Sequence, residues 1–327
     1  MRMRLLFNYI SELSNQVEGF CIIKSVQQKS NVKGADYLDM ILFDADGEVN
    51  AKLWDYSPDV FGSYAPQDVI KVRGTVSMYR DQEQLKIDKI RKATAADAVD
   101  MMLLVPSAPV ASEDMFQSVK LYSERMTNPE LKRVTSFLLD RYSHSLSFFP
   151  AALKLHHAVR GGLLFHMLTM LETAKGICTT YRKLDPELNC DLVYAGIILH
   201  DIAKINELDV NDLGIATGYT AEGELLGHIT MGCNMLAETA REIDLDSEIT
   251  MLLQHILLSH HEKPEFGSPK PPMFPEAEIV STVDSLDAKL YEMYDVLDAM
   301  DKKTMSDRVW SLESRKLYNH RLSDSDE

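Results

Sequence analysis

The sequence predicts a multidomain α+β protein, an all-β barrel at the N-terminus followed by an all-α helical bundle. Between residues 17 and 92, apolar and polar residues alternate with a period of two in short runs separated by turn residues. Beyond residue 128, apolar residues recur at helical spacing over much longer runs. Within those helical runs sit histidines and aspartates, the residue types that bind metals. At 327 residues the chain is long enough for two cores.

In the first region, Val17 to Val26 reads as a long strand. Tyr37 to Phe43 follows, with Leu38, Met40 and Leu42 on one face. The run from Asp44 to Gly47 is a hairpin turn, and Glu48 to Trp54 returns with Val49, Ala51 and Leu53 inward. A short polar helix or loop spans Ser57 to Gln67. Val69 to Met78 and Leu85 to Ile90 form a second hairpin around Asp81 and Gln82. Five strands interrupted between the third and fourth fit an OB-fold barrel over residues 1–95. That fold binds single strands through stacking aromatics and basic residues that track the backbone. Tyr37, Trp54, Lys52 and Arg73 are the candidates, with Phe43, Tyr79, Lys71 and Arg80 behind them.

Residues 96–127 read as a linker and a connecting helix that opens with an N-cap at Ser112, after prolines 106 and 109. A helix is expected from Asn128 to Tyr142. Pro150 suits the first turn of another, carrying His156 and His157 as interface or surface residues. Helices 163–180, 191–202, 222–240, 247–261 and 276–299 complete a domain over 128–300. The segment from Glu207 to Tyr219 reads as irregular. Residues 301–327 form a C-terminal extension with a disordered acidic tail from Ser323.

Composition narrows the function. No run of about 18 apolar residues exists, so no membrane partner is expected. The first residues lack a secretory apolar core, and four cysteines without CxxC spacing read as thiols of a reducing cytoplasm. A net charge of −16 argues against a generic nucleic-acid binder, yet residues 1–95 are neutral, so the excess lies in the helical part.

The stretch from Asp191 to Lys204 is the centre of that part. Apolar residues fill Leu192 to Leu199, and His200 and Asp201 then arrive side by side. A polar pair at the end of a buried helix must be matched by something. Alone, a structural ion pair explains it as well as a metal does. His166, His228, His260, His261 and Asp284 each sit in a further helical run, which is how a bundle aims ligands at one interior point. Five imidazoles and two carboxylates suit Mn²⁺, Fe²⁺, Co²⁺ or Zn²⁺ better than Mg²⁺. Seven ligands exceed the need of one catalytic ion, so two ions are expected.

In that order these residues resemble the HD-domain metal-dependent phosphohydrolases. The strings HHAVRGGLLFH, LHDIAKINEL, YTAEGELLGHI, LSHHEKPEFGSP and VDSLDAKL are similar to the YhaM-type 3′-to-5′ exoribonucleases, which also carry an N-terminal OB-fold. The resemblance implies one ion on His166, His200, Asp201 and Asp284, and another on Asp201, His228, His260 and His261. It implies Asp201 and Lys204 as catalytic residues, with Arg160 and Lys289 as phosphate contacts. It also implies an exoribonuclease that degrades single-stranded RNA to nucleoside monophosphates; Mn²⁺ is the favoured metal, and the choice between RNA and DNA is left open. The alternative is a phosphohydrolase of a small nucleotide with a regulatory OB domain. The state of assembly is left open, a homo-oligomer included. This chain has Phe165 where the family has an acidic residue and Glu262 where it has glycine.

Overall fold

A computed structural model describes residues 7–11, 13–80, 82–320 and 322. The acidic tail from Ser323 and Asp81 of the second hairpin lie outside them. The chain divides into two compact units, the first ending at Ser107 and the second beginning at Ala108.

The first unit contains β1 (Phe7–Ser11), β2 (Gln16–Ser30), β3 (Asp36–Asp44), β4 (Gly47–Trp54), the single-turn helix α1 (Pro58–Phe61), β5 (Val69–Tyr79) and β6 (Gln82–Lys92). Their order is β1-β2-β3-β4-β6-β5, and β2 pairs back onto β5. Strands β2 to β6 therefore close a five-stranded OB-type barrel, with β1 added along β2. Closure needs β2 to serve two neighbours. Its first half pairs with β5 and its second with β3, and the register slips between Ile23 and Ser25 where it turns from one to the other. The alternation seen in the sequence sends Leu38, Met40, Leu42, Val49, Ala51, Leu53, Ile70, Val72, Leu85 and Ile87 into the barrel core. Asp44 closes the β3–β4 turn by accepting the amides of Asp46 and Gly47.

The second unit contains α2 (Ser112–Glu124), α3 (Pro129–Arg141), α4 (Ser143–Leu146), α5 (Gly162–Tyr181), α6 (Cys190–Leu199), α7 (Lys204–Glu207), α8 (Ala221–Glu242), α9 (Ser247–Ser259) and α10 (Pro275–Asp298). The N-termini are set by Asn128, Asn189, Thr220 and Asp246, whose side chains accept first-turn amides. Helix α6 is the axis. Its apolar run is buried on every side and packs against α3, α5, α9 and α10. Gly196 allows this, because a Cβ there would lie 2.9 Å from Ile256 and 3.1 Å from Val280.

Three expectations need correcting. Ser112 is not the N-cap of α2. Ala111 holds that position, and the Ser112 hydroxyl donates to the Ser147 carbonyl. The expected connecting helix is α2, and it buries Met115 and Val119 in the helical core. Residues 150–161 form no helix; they wind irregularly, with His157 in the left-handed region at φ 54°. The segment after Glu207 is ordered as a small hairpin, β7 (Leu208–Val210) with β8 (Ala216–Tyr219). Past α10, bridges from Met305 to Tyr318 and Val309 to Arg315 fold the extension back around buried Leu312.

Candidate metal centre

All seven expected ligand residues converge at the inner end of α6. His200 ends the helix as its C-cap and Asp201 follows in the next turn, so both side chains leave the run of buried apolar residues at the same point. His166 enters from the second turn of α5 and Asp284 from the middle of α10. His228 enters from α8, whose backbone breaks at Gly227 with φ 68° and ψ 155°, a conformation open to glycine. The tandem pair would diverge on a continuous helix. They converge because α9 stops at Ser259, leaving His260 as the C-cap and His261 beyond it, with ring centroids 4.1 Å apart.

The cluster has two halves joined by Asp201. In one half, His166 Nε2 lies 3.2 Å from Asp284 Oδ1 and 3.3 Å from His200 Nε2, and His200 Nε2 lies 3.4 Å from Asp201 Oδ2. In the other, Asp201 Oδ1 lies 3.4 Å from His228 Nε2 and 3.8 Å from His260 Nε2. His228, His260 and His261 bring their ligand atoms within 4.8 Å of one another. Two ligands on one ion with bonds of about 2.1 Å are separated by about 3 Å or somewhat more. Asp201 Oδ1, His228 Nε2 and His260 Nε2 are buried and have no hydrogen-bond partner among the described residues. Three orphaned acceptors at one point would be costly unless a cation satisfied them. The donor set and its geometry therefore fit divalent ions.

The opposite nitrogen of each imidazole is tied down. Nδ1 of His200 meets the Ile197 carbonyl at 2.8 Å, that of His260 the Leu257 carbonyl at 2.8 Å, and that of His261 the Phe266 carbonyl at 2.7 Å. His228 Nδ1 donates to Glu207 Oε1 at 3.0 Å, and His166 Nδ1 to Asp287 Oδ2 at 2.7 Å. Each Nδ1 then carries a proton, so Nε2 is the atom that each imidazole turns inward. The Ser268 hydroxyl accepts the His261 amide.

Charges in this buried place control one another. Burial alone would raise the Asp201 carboxyl, but Lys204, with Nζ 2.7 Å from Oδ2, and the nearby imidazoles hold it well below the carboxylate range. Burial likewise opposes the Lys204 charge, and Asp201 outweighs it and keeps the amine protonated. For His166 burial is overcome by its bonds to Asp284 and Asp287, which push it up to about 9. Burial lowers His260 and His261, so both are neutral donors near pH 7.

The remaining candidates are dispersed. Arg160 packs beside the Phe148 ring and against Gly214 of the β7–β8 turn, with Nη1 buried. Lys289 is exposed on α10, five residues past Asp284 and so turned away from the ligand face. On the barrel, Tyr37 and Trp54 face each other across β3 and β4 with ring centroids 4.6 Å apart, and the Lys52 ammonium lies over both rings. Arg73 is not part of that group. It lies on β5 in a separate groove with Lys71, Lys89 and Arg91. Sequence reasoning missed Glu207 and Asp287. The available signal was spacing, since Asp287 stands three residues after Asp284 and Glu207 three after Lys204, one helical turn in each case.

A paired-oxygen aspartate ringed by inward-facing imidazoles on a helical bundle defines the HD class, and residues 163–289 match the HD domain family model. Over 307 residues the chain is 40% identical to the 3′-5′ exoribonuclease YhaM of Geobacillus sp. (strain WCH70), covering 94% of this chain and 93% of that one. The chain belongs to the YhaM family. The second OB-fold domain of replication protein A from Methanococcus maripaludis is 18% identical, with a TM-score of 0.19 over 23% of this chain and 80% of that one. A replication protein A heterotrimer bound to single-stranded DNA is 10% identical, with a TM-score of 0.22 over 26% and 62% of the respective chains.

Proposed function

We propose that this protein is a metal-dependent 3′-5′ exoribonuclease that shortens single-stranded RNA to nucleoside monophosphates. The observation that carries it is the division of the cluster by Asp201, one oxygen toward each half. His166, His200, Asp201 and Asp284 would hold one ion, and Asp201, His228, His260 and His261 a second. The imidazole-rich set favours Mn²⁺, with Fe²⁺, Co²⁺ and Zn²⁺ as alternatives. Ions held there supply an activated water and neutralise charge on the phosphodiester.

The chain's own residues do the rest. Glu207, Asp287 and the three backbone carbonyls fix every imidazole before substrate arrives. Lys204 balances Asp201 and holds a positive charge beside the cluster, where in this reading it meets the scissile phosphate. Arg160 is a further phosphate contact in this reading. The barrel, over residues 1–95, holds the strand. Bases stack on the Tyr37–Trp54 pair, with Lys52 beside it for the backbone, and the 128–300 region carries out hydrolysis. Four free cysteines, three of them buried, support a reducing cytoplasmic location.

The test is digestion of 5′-labelled single-stranded RNA by the Mn²⁺-loaded protein, with DNA and an Asp201→Ala variant in parallel. A descending ladder that the variant lacks is expected. Intact RNA accompanied by hydrolysis of small nucleotides would replace this reading with that of a nucleotide phosphohydrolase.

A further inference from the structure

Behind His166 lies a contact that the ligand set does not use. Asp287 Oδ2 is 2.7 Å from His166 Nδ1 and also 2.7 Å from His157 Nε2. These are hydrogen-bond distances. They are shorter than the separation of about 3 Å or more between two ligands on one ion with bonds near 2.1 Å. The trio is therefore a support, not a third ion site.

The chain goes to some length to build it. His157 is buried, with its ring centroid 4.0 Å from that of Tyr291, and it adopts φ 54°, in the left-handed region that few non-glycine residues occupy. Its carbonyl accepts the Ala151 amide and lies so close to α5 that a Cβ on Gly162 would come within 2.0 Å of it. An irregular loop, a left-handed residue and a glycine thus bring one imidazole to one carboxylate. An ionised carboxylate only accepts, so both imidazoles donate to it. Asp287 is thereby held from one side by His157 and holds His166 on the other.

The two halves are supported differently. Glu207 is fastened to His228 twice, through Nδ1 and through the backbone amide of the same residue. Asp287 is instead fastened by a histidine from a separate loop. We infer that Asp287 and His157 are positioning residues that set the affinity of the His166 half for a divalent ion separately from the His228 half. The inference rests on the reading that the cluster holds two ions. A carboxylate behind a ligand imidazole fixes its tautomer and raises its basicity, and loss of such support costs about 10- to 100-fold in affinity.

The experiment counts ions. Full-length wild type, Asp287→Asn, His157→Ala, His157→Gln and Glu207→Gln are stripped, dialysed against fixed free Mn²⁺ and analysed for metal per chain. Electron paramagnetic resonance reports whether the bound ions are magnetically coupled. Thermal unfolding of the stripped proteins checks the fold. Wild type should hold two coupled ions. Asp287→Asn, which removes the charge and keeps the shape, should weaken one ion about 10- to 100-fold and lose the coupled signal. His157→Ala should weaken the same ion, and His157→Gln, which restores a donor, should recover it. Two ions of unchanged affinity in Asp287→Asn would overturn the inference. So would equal losses in the two His157 variants, which would mean that packing against Tyr291 matters and the donated bond does not. A wild type that binds fewer than two ions would overturn the two-ion reading itself, and this inference with it.

Discussion

Replacing Gly196 with alanine sets two well-measured effects against each other at the axis of the helical unit. In an exposed helix the change stabilises by about 1 kcal/mol, because glycine has more backbone freedom to lose. Here the added methyl meets Ile256 Cγ2 at 2.9 Å, Ile256 Cδ1 at 3.0 Å and Val280 Cγ2 at 3.1 Å. Both neighbours are fully buried and branched at Cβ, so they have few rotamers in which to yield. Overpacking of this kind costs about 1–3 kcal/mol. The balance runs from about zero to about 2 kcal/mol of destabilisation. For a unit of this size each kcal/mol lowers the melting temperature by about 2–4 °C. Function should suffer more than stability. The His200 amide bonds to the Gly196 carbonyl at 2.8 Å, so a helix pushed off α9 and α10 carries His200 and Asp201 away from His260 and Asp284. Calorimetric melting of the ion-free protein, paired with Mn²⁺ titration, separates the two effects. A variant that melts several degrees higher and binds Mn²⁺ as wild type would show that the close packing of α6 has been misjudged.

Glu207→Gln should weaken Mn²⁺ binding about 10- to 100-fold while leaving the His166 half intact; calorimetric titration showing both sites unchanged would remove Glu207 from the account. Trp54→Ala should lose about 1–3 kcal/mol of stacking, a roughly 5- to 150-fold drop in affinity for single-stranded RNA, with dinucleotide hydrolysis unaltered; equal affinities in a filter-binding assay would count against the platform. Mn²⁺ affinity should rise with pH. His166, pushed up to about 9 in the ion-free protein, carries a proton below that value which an entering ion must expel. Binding should therefore strengthen by about tenfold per unit between pH 6.5 and 8.5 and level off above 9. Titrations in buffers of different ionisation heat count the released protons, and none released would contradict the assignment.

What the sequence disclosed depended on repetition. Leu38, Met40 and Leu42, or Val49, Ala51 and Leu53, repeat a pattern that only a half-buried strand explains. The run from Leu192 to Leu199 has no polar face to offer solvent. The seven ligand-type residues were visible because each interrupts an apolar segment. The hairpin after Glu207 was hidden because strands of three and four residues are too short to show a period. His157 was misjudged because a left-handed residue in an irregular loop leaves no periodic trace, and Pro150 suggested a helix start. Asp287 and Glu207 were missed because one acidic residue among many on helices of a chain with net charge −16 looks like solvated surface. Only the folded structure shows which of them face inward.

The shared carboxylate has a last consequence. In the proposed two-ion reading Asp201 is one anion facing two cation positions, so the charge that would welcome the first ion would already be partly spent when the second arrived. The two positions would therefore fill in sequence. Over the range of metal concentration that separated the two steps, a population of identical chains would be a mixture of half-filled and filled molecules, and the supply of the metal would govern how many of them could work.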